Sequence, residues 1–253
     1  MELKDGTILE PPYYWDEAED MLNSAHTLIA GTTGSGKSVA LNALIASALA
    51  LDSSYLYAFI DLKRVELKDY RGIANCIGYA TEEPAALELL DLCVERMERR
   101  FRVMDREGVK ETDAPHLYII IDELADLAEN REIFQRLVHI GRLGRAAHVH
   151  IIACTQDPSR RTLKAQFMQN ISCALALRCR SDIESRQIVG VAGAEKLPRY
   201  GKGIFWDYRG IQKIDVPKFP DEDIQYMIRQ RTPERKSIIQ KVVDIKLKGY
   251  TYN

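Results

Sequence analysis

The chain has 253 residues and a mass of 28.8 kDa, enough for one large α/β domain or for a domain with a small appendage. Its 35 basic and 37 acidic residues give a formal net charge of -2, which excludes a globally basic nucleic-acid binder and leaves only local patches for such contacts. The five cysteines contain no C-x-x-C pair, so neither a zinc site nor a disulfide framework is indicated. No apolar run is long enough to span a bilayer and the N-terminus does not match a signal peptide, so we expect a cytoplasmic chain without direct membrane insertion.

A glycine-rich loop near the N-terminus carries the most specific motif of the chain. A lead-in segment, residues 1–24, is followed by a buried strand predicted at His26–Ala30. Beyond the loop, the Ala- and Leu-rich run Val39–Leu51 predicts an apolar helix. The loop itself, GTTGSGKS at residues 31–38, fits the P-loop pattern of Gly, four residues, Gly, Lys and then Ser or Thr. A strand, this loop and a helix in that order form the context in which the pattern binds a nucleoside triphosphate.

The residue types of the loop each have a physical role in binding phosphate. Glycines let the backbone fold around the phosphates without a Cβ clash, and the unpaired amides of a helix N-terminus favour anions. Lys37 is expected to reach the terminal phosphates, and the Ser38 hydroxyl is expected to bind magnesium. The alternative is a chance Gly/Ser/Thr loop, which the flanking elements disfavour. We therefore predict ATP and Mg2+ as ligands, with the nucleotide bound by Thr33, Gly34, Ser35, Gly36, Lys37, Ser38 and Val39.

Charged residues follow the next predicted strand, Tyr55–Ile60. They include Lys63, Arg64 and Lys68. Ligands of α/β sheets bind at the carboxyl ends of strands, but a solvated loop explains these charges equally well. A long amphipathic helix is then predicted at residues 81–107, and its Arg-rich face alternates with Glu. That pattern is typical of a solvated, salt-bridged surface.

Two adjacent carboxylates end a second buried strand. Leu117–Ile121 is a continuous apolar run of the parallel-strand type, and Asp122 and Glu123 follow it. In a chain that also contains a P-loop, this pair resembles a Walker B motif. Asp122 is then expected in the magnesium shell, and Glu123 is expected to orient and deprotonate the attacking water.

A polar amide ends the third predicted core strand, His148–Cys154. Gln156 follows the strand, and we expect the strand to lie beside the P-loop strand, where an amide can sense the γ-phosphate and position water. The alternative is a loop amide bonded to backbone. Before this strand, an amphipathic helix at Arg131–Leu143 leads into the sequence GRAA, which contains Arg145.

The remaining segments complete an α/β chain. A basic loop contains Arg160, Arg161 and Lys164, and further predictions are a strand at 172–178, a helix at 181–189 and a hairpin at 201–214. The charged segment after residue 220 predicts helix. The fold class is therefore α/β, with a mainly parallel central sheet flanked by helices and a small helical C-terminal appendage. The predicted division is a lead-in at 1–24, a P-loop domain at 25–219 and a helical tail at 220–253.

Taken together, the motifs resemble the motor domain of the FtsK/SpoIIIE family of DNA translocases. The resemblance covers Leu28 to about Trp206, and several of its parts are not shared by P-loop proteins at large. They are AGTTGSGKSVALN (30–42), IDLKRVELKDY (60–70), RMERRFRVM (96–104), IIIDELADL (119–127), GRAAHVHIIACTQDPS (144–159), SDIESRQIVGVAGAEKL (181–197) and GKGIFW (201–206).

The resemblance implies a RecA-like ATPase that forms a hexameric homo-oligomeric ring, threads double-stranded DNA through its centre and places ATP between subunits. It implies that Arg145 acts in trans as an arginine finger on a neighbour's nucleotide, although a helix-end salt bridge is an alternative from the residues alone. It also matches two loops to DNA-contacting pore loops, the first with Lys63, Arg64 and Lys68 and the second with Arg160, Arg161 and Lys164. Two positions depart from the family pattern: Leu62 replaces a usual Pro, and Asp157 replaces a usual basic residue.

Two functions from different classes follow from the resemblance. The first is an ATP-driven motor on double-stranded DNA, with a role in DNA transfer by mobile elements. The second is a conjugation or secretion coupling ATPase that recognises a protein partner of a transfer or division machinery. A third hypothesis, a scaffold that binds nucleotide but barely hydrolyses it, is disfavoured by the complete set of Lys37, Asp122 and Glu123.

Overall fold

The structure is a computed structural model that describes residues 15–233. The first 14 residues of the predicted lead-in and the predicted tail beyond residue 233 lie outside the described residues. Within the described range, the strands are β1 (His26–Ala30), β2 (Leu56–Ile60), β3 (Cys76–Ala80), β4 (Leu117–Ile121), β5 (Val149–Thr155), β6 (Cys173–Ala176), β7 (Lys202–Asp207) and β8 (Gly210–Asp215). They form one eight-stranded sheet with the order β3-β2-β4-β5-β1-β6-β7-β8. The first six strands along the chain are parallel to one another, and β7 and β8 are added at one edge as antiparallel strands.

Helices cover both faces of the sheet. They are α1 (Asp16–Asn23), α2 (Lys37–Leu51), α3 (Glu83–Glu107), α4 (Arg131–Leu143), α5 (Ala165–Met168), α6 (Asp182–Val189) and α7 (Asp221–Arg231). Buried side chains of α1, α2 and α7 form one apolar layer, and those of α3, α4, α5 and α6 form the other. The predicted α/β class with a mainly parallel sheet between helices is therefore confirmed.

Strand β4 shows why the sequence forms this core. All five of its residues are buried, and successive side chains point to opposite faces. Ile119 and Ile121 pack with α3 and α4, whereas Tyr118 and Ile120 pack with α2. A strand that is apolar on both faces requires a helix layer on each side, as parallel sheets do in general.

The edge strand β3 was not predicted from the sequence. Of its five residues only Ala80 is fully buried, so the strand lacks the continuous apolar run of β1 and β4. It also contains Gly78, a residue type depleted in strands. A Cβ at Gly78 would lie 2.4 Å from Cδ1 of Leu89 on α3. The glycine thus permits close packing of α3 against β3, but it also weakens the sequence pattern by which a strand is predicted.

The terminal helices contribute to the same core as the central elements. Trp15, Met21 and Leu22 belong to the buried cluster around α2, and so do Met227 and Ile228 of α7. The division into residues 1–24, 25–219 and 220–253 stays a prediction. Between residues 15 and 233, no helix combines the length and apolar character that crossing a membrane requires.

Candidate active site

The carboxyl ends of β1, β2, β4 and β5 meet at one edge of the sheet, and the predicted site residues lie there. Strand β1 pairs with β5, and β5 pairs with β4, all in parallel register. The expectation that the strand ending in Gln156 lies beside the P-loop strand is confirmed. Loops that follow neighbouring parallel strands converge, which is why motifs distant in sequence share this edge.

The P-loop joins β1 to the N-terminus of α2. Gly34 and Gly36 have φ values of 73° and 95°, a left-handed backbone that residues with a side chain rarely adopt. The Ser35 hydroxyl is buried, and within the described part of the chain it has no hydrogen-bond partner. A buried polar group without a partner costs free energy, so this loop is shaped for a ligand that supplies one.

Lys37 lies between the P-loop and the end of β4. Its Nζ donates to the carbonyl oxygen of Asp122 at 3.1 Å and lies 3.4 Å from the carboxylate Oδ1 of Asp122. Burial disfavours the charged ammonium, but the neighbouring Cys154, Asp122 and Glu123 together outweigh burial and raise the pKa of Lys37. Burial also raises the pKa of Asp122, and Lys37 partly offsets that rise. The lysine is therefore held as a cation at the mouth of the loop.

Glu123 is held by donors from three different segments. Thr155 Oγ1 donates to its Oε1 at 2.7 Å, and the Gln156 amide donates to Oε1 at 3.1 Å and to Oε2 at 3.2 Å. Lys63 Nζ lies 3.4 Å from Oε2, and the Ala125 amide lies 3.4 Å from Oε1. Glu123 is buried, so these contacts fix both carboxylate oxygens in one orientation.

Gln156 connects the end of β5 to the P-loop. Its side-chain Oε1 accepts a hydrogen bond of 2.7 Å from Thr33 Oγ1. The residue therefore contacts Glu123 through its backbone and the P-loop through its side chain. This placement fits the predicted role near a terminal phosphate, and the role itself stays a prediction.

Arg145 lies at the opposite edge of the sheet. It sits in the turn between α4 and the first residue of β5, whereas Glu123 and Thr155 lie at the carboxyl ends of β4 and β5. Seven residues of strand separate the two edges, a span of about 20 Å. The Arg145 side chain is exposed, and it makes no hydrogen bond or ion pair with other residues in the 15–233 range. Arg145 is thus outside the reach of the P-loop of its own chain.

The turn that carries Arg145 is fixed by α3. Arg100 donates to the carbonyl oxygens of Ala147, His148 and Pro115 at 2.6, 2.9 and 2.7 Å. At Gly144, an added Cβ would lie 2.2 Å from the backbone oxygen of Val149, so no side chain fits there. The Arg-rich face of α3 was interpreted as solvated, but Arg100 is half-buried and bonds to backbone.

The first of the two predicted DNA-contacting loops lies next to Glu123. Lys63 bridges Glu123 and Asp126, at 3.4 and 3.6 Å, although its side chain is 44% exposed. Arg64 has a φ of 60° and pairs with Glu82 at 2.7 Å. Lys68 is exposed at the start of a short 3-10 helix, Lys68–Gly72. Because the sequence does not show which cation faces the carboxylate, the contact of Lys63 with Glu123 was not anticipated.

The second predicted DNA-contacting loop follows β5. Arg160 and Arg161 are exposed, and Arg161 lies 3.5 Å from Glu129. Lys164 is half-buried and lies 4.2 Å from the ring centroid of Phe134, where it also donates to a backbone carbonyl. Asp157, the residue that departs from the family pattern, accepts hydrogen bonds from Ser159 and Thr162 and so stabilises this loop. DNA contact by either loop stays a prediction.

These features define an α/β protein of the P-loop ATPase class. A family model described as the FtsK/SpoIIIE family matches residues 6–119. The DNA translocase SftA of Bacillus subtilis is 36% identical over 203 residues, which cover 73% of this chain and 21% of that protein. The DNA translocase SpoIIIE of Bacillus subtilis is 33% identical over 242 residues, covering 85% of this chain and 31% of that protein. The chain belongs to the FtsK/SpoIIIE family.

The chain matches only part of these relatives, between 21% and 31% of their own length. Among solved structures, the conjugation coupling protein TcpA of pCW3, in a monomer form with ATPγS, superposes with a TM-score of 0.74. That match covers 88% of this chain and 75% of the TcpA chain at 21% sequence identity, so it shows the fold alone.

Thr155 offers a test of the Glu123 network, and sequence reasoning did not single it out as a site residue. We expect Thr155→Val, which keeps the shape but removes the hydroxyl, to lower the kcat of ATP hydrolysis roughly tenfold with little change in KM. A hydrogen bond to a charged group contributes about 1.5 to 3 kcal/mol, and an orientation effect acts on turnover. Steady-state kinetics checks this, with Thr155→Ser as the control that keeps the donor. Wild-type kcat in the Val variant would contradict the assigned role.

Proposed function

We propose that this chain is an ATP-driven translocase motor that acts on double-stranded DNA and hydrolyses ATP at the subunit interfaces of a homo-oligomeric, hexameric ring. The observation that carries the proposal is the division of the catalytic residues between two edges of one sheet. Lys37, Asp122 and Glu123 lie together at the carboxyl edge, and Arg145 is exposed at the amino edge. The similarity to DNA translocases supports DNA as the substrate.

The residues present fit ATP and Mg2+. The buried, unpaired Ser35 hydroxyl and the left-handed glycines suit a polyphosphate, and the amides of residues 33–39 would bind it. The Ser38 hydroxyl and the Asp122 carboxylate are hard oxygen ligands, the type that Mg2+ prefers. Mg2+ bound there would neutralise charge on the phosphates. No group of three or more His, Cys, Asp or Glu that could hold a metal occurs in residues 15–233, and Mg2+ commonly binds through one carboxylate together with phosphates.

Glu123 and Gln156 act on water in this proposal. Thr155 and the Gln156 amide hold the Glu123 carboxylate in one orientation. In that orientation the carboxylate accepts a proton from the attacking water molecule. The Gln156 side chain contacts Thr33 of the P-loop, and this contact supports a role for its amide beside the terminal phosphate.

Arg145 supplies charge to a neighbouring site. A cation at the amino edge lies one strand length from the P-loop of its own chain, so it completes a site only where a second copy presents its carboxyl edge. The bonds from Arg100 and the steric limit at Gly144 hold the turn in one shape before assembly. A rigid turn reduces the entropy that is lost when subunits associate.

DNA binding depends on local cations because the net charge of the chain is -2. The two loops leave the carboxyl ends of β2 and β5, which pair with β4 on either side. Lys68, Arg160 and Arg161 are exposed there, although Arg161 has two carboxylates nearby, those of Glu129 and Asp157. Repetition of such loops around a ring would produce a positive channel from an acidic protein.

A second candidate is a coupling ATPase that recognises a protein partner of a transfer or division machinery. This candidate function is supported by the superposition on the conjugation coupling protein TcpA, which has the same fold. In this case DNA would be incidental to hydrolysis. A cytoplasmic location and a role in mobile-element DNA transfer belong to the first proposal.

The first prediction tests hydrolysis and its coupling to DNA. Lys37→Ala should weaken ATP binding because the cation at the terminal phosphates is lost. Glu123→Gln should bind ATP with Mg2+ but hydrolyse it ~10²–10⁴-fold more slowly, the usual effect of losing a general base. In the wild type, double-stranded DNA of any sequence should stimulate ATPase activity above buffer and above single-stranded RNA. Equal rates with and without DNA would favour the coupling ATPase.

The second prediction tests the shared site. Arg145→Ala should abolish turnover with little change in ATP affinity, whereas Arg142→Ala, an exposed arginine of the same helix end, should keep activity. A mixture of Arg145→Ala and Glu123→Gln proteins should regain part of the activity, because one interface type combines an intact Glu123 with an intact Arg145. Persistent inactivity of a mixture that co-assembles by light scattering would count against a finger in trans.

The third prediction concerns the loop after β5. Replacement of Arg160 and Arg161 by Ala should weaken binding of unrelated DNA sequences equally, since phosphate contacts carry no sequence information. The log-log dependence of affinity on salt should flatten by roughly one unit for each lost phosphate contact. The matched control replaces Arg99 and Arg102, two exposed arginines of α3. Unchanged affinity and salt slope would make these charges an ordinary solvated surface. Basal ATP hydrolysis should survive in both double variants.

A further inference from the structure

Asp61 is a buried carboxylate at the end of β2 to which no function has been assigned above. Its surface is 0% exposed. Oδ2 accepts a hydrogen bond from the Leu67 amide at 3.0 Å and another, of 3.4 Å, from the Tyr79 hydroxyl. Oδ1 is also buried, and within residues 15–233 it has no hydrogen-bond partner. Burial of a carboxylate oxygen without a partner costs free energy, so Oδ1 is suited to a ligand that supplies a donor.

Strand pairing places Asp61 beside Asp122. The parallel strands β2 and β4 pair Ile60 with Ile121, and the Asp122 amide donates to the Ile60 carbonyl oxygen at 3.1 Å. Asp61 and Asp122 are the next residues of these two strands. Ile60 and Ile121 pack in the layer of α3 and α4, so the alternation of side chains directs both aspartates to the opposite face, which α2 covers. Ser38, the expected magnesium ligand, lies in the first turn of α2.

A second contact brings the segment after β2 close to the first turn of α2. Tyr70, in the 3-10 helix that follows β2, donates from its hydroxyl to Oδ1 of Asn42 at 2.6 Å. Asn42 is four residues after Ser38, so both lie on the same face of α2. The segment that Asp61 holds through the Leu67 amide therefore packs one helical turn away from Ser38.

The buried charges at this edge of the sheet do not balance. Asp61, Asp122 and Glu123 are buried carboxylates, whereas Lys37 is the one buried Lys or Arg between residues 15 and 233. Lys37 pairs with Asp122, and Lys63 pairs with Glu123, but within the same range no ion pair includes Asp61. Burial is the largest cause of the raised pKa of Asp122, and the negative charge of Asp61 adds to the rise. A divalent cation beside Asp122 would remove this excess of negative charge.

We propose that Asp61 is a second carboxylate of the magnesium site, and that its Oδ1 accepts a hydrogen bond from a water molecule bound to the ion. The inference rests on the proposed nucleotide function and adds a residue that positions the metal. Mg2+ usually keeps several water ligands, and carboxylates that do not touch an ion orient the ligands that do. In the sheet, β2 lies one strand farther than β4 from the P-loop strand, a distance of about 5 Å, so Asp61 is suited to contact through water and Asp122 to direct binding.

The experiment measures the affinity of ATPγS by titration calorimetry, once with Mg2+ and once with EDTA, for the wild type and for Asp61→Asn. Asparagine removes the charge but keeps an oxygen that can accept the hydrogen bond from Leu67. With Mg2+, the variant should bind ATPγS about tenfold or more weakly, the usual effect of losing a carboxylate that orients a metal ligand. With EDTA, it should bind ATPγS as tightly as the wild type or more tightly, because one negative charge near the phosphates has been removed.

The matched control is Asp69→Asn, which removes a carboxylate from the same segment at the surface. Asp69 is exposed and accepts a hydrogen bond of 2.7 Å from the Gln225 side chain. Its replacement should leave ATPγS affinity unchanged in both conditions. Thermal melting without metal or nucleotide separates a role in metal binding from a role in folding. Because the buried carboxylate lacks a cation, Asp61→Asn should melt no lower than the wild type.

Three results would overturn the role of Asp61. They are equal affinity of variant and wild type with Mg2+, an equal loss of affinity with Mg2+ and with EDTA, and a lower melting temperature of the ligand-free variant, which would make the carboxylate a purely structural group. A wild type that binds ATPγS with Mg2+ but shows no stimulation of hydrolysis by DNA would overturn the motor proposal alone. A wild type that binds no ATPγS would overturn both.

Discussion

The parallel pairing of β4, β5 and β1 is the constraint on which the rest of this structure depends. Their register places Ile121 beside Ala153 and Ala30 beside Thr155, so the three strands end at the same edge. This alignment brings Lys37, Glu123 and Gln156 together although more than 100 residues of sequence separate the first from the last. A one-residue slip of β4 would reverse which side chains face each helix layer, so the apolar core itself fixes the geometry of the site.

The buried carboxylates show how that core accommodates charge. Asp122 is balanced by Lys37, and Glu123 is bonded by a hydroxyl, backbone amides and Lys63. Charges removed from water are costly unless they are paired and hydrogen-bonded, and here each of these two carboxylates has a partner from another segment of the chain. The partners of Asp122 and Glu123 come together only when the sheet is folded. The chemistry of the site therefore depends on the correct pairing of the strands.

The sequence predicted those elements whose patterns are periodic or chemically specific. The bounds of β1, β4 and α4 were predicted to the residue, because continuous apolar strands and an amphipathic helix have clear limits. The P-loop and the Asp122–Glu123 pair were found because phosphate and metal chemistry restrict residue type. Strand β3 was missed because an exposed edge imposes little on composition. The placements of Lys63 and Arg100 were missed because they depend on contacts between segments that are distant in sequence.

The bridge from Lys63 to Glu123 has an electrostatic consequence for the whole carboxyl edge. An ammonium group has three donors but one unit of charge, and in this structure two carboxylates, Glu123 and Asp126, share it. Any anion that approached the exposed side of Lys63 would compete for the same charge, and the field at Glu123 would become more negative as the lysine moved away. The loop after β2 and the carboxylate after β4 thus form a single electrostatic unit. An anion bound on the outer surface of that loop would therefore alter the field at the buried oxygen atoms of Glu123 without any change in the sheet.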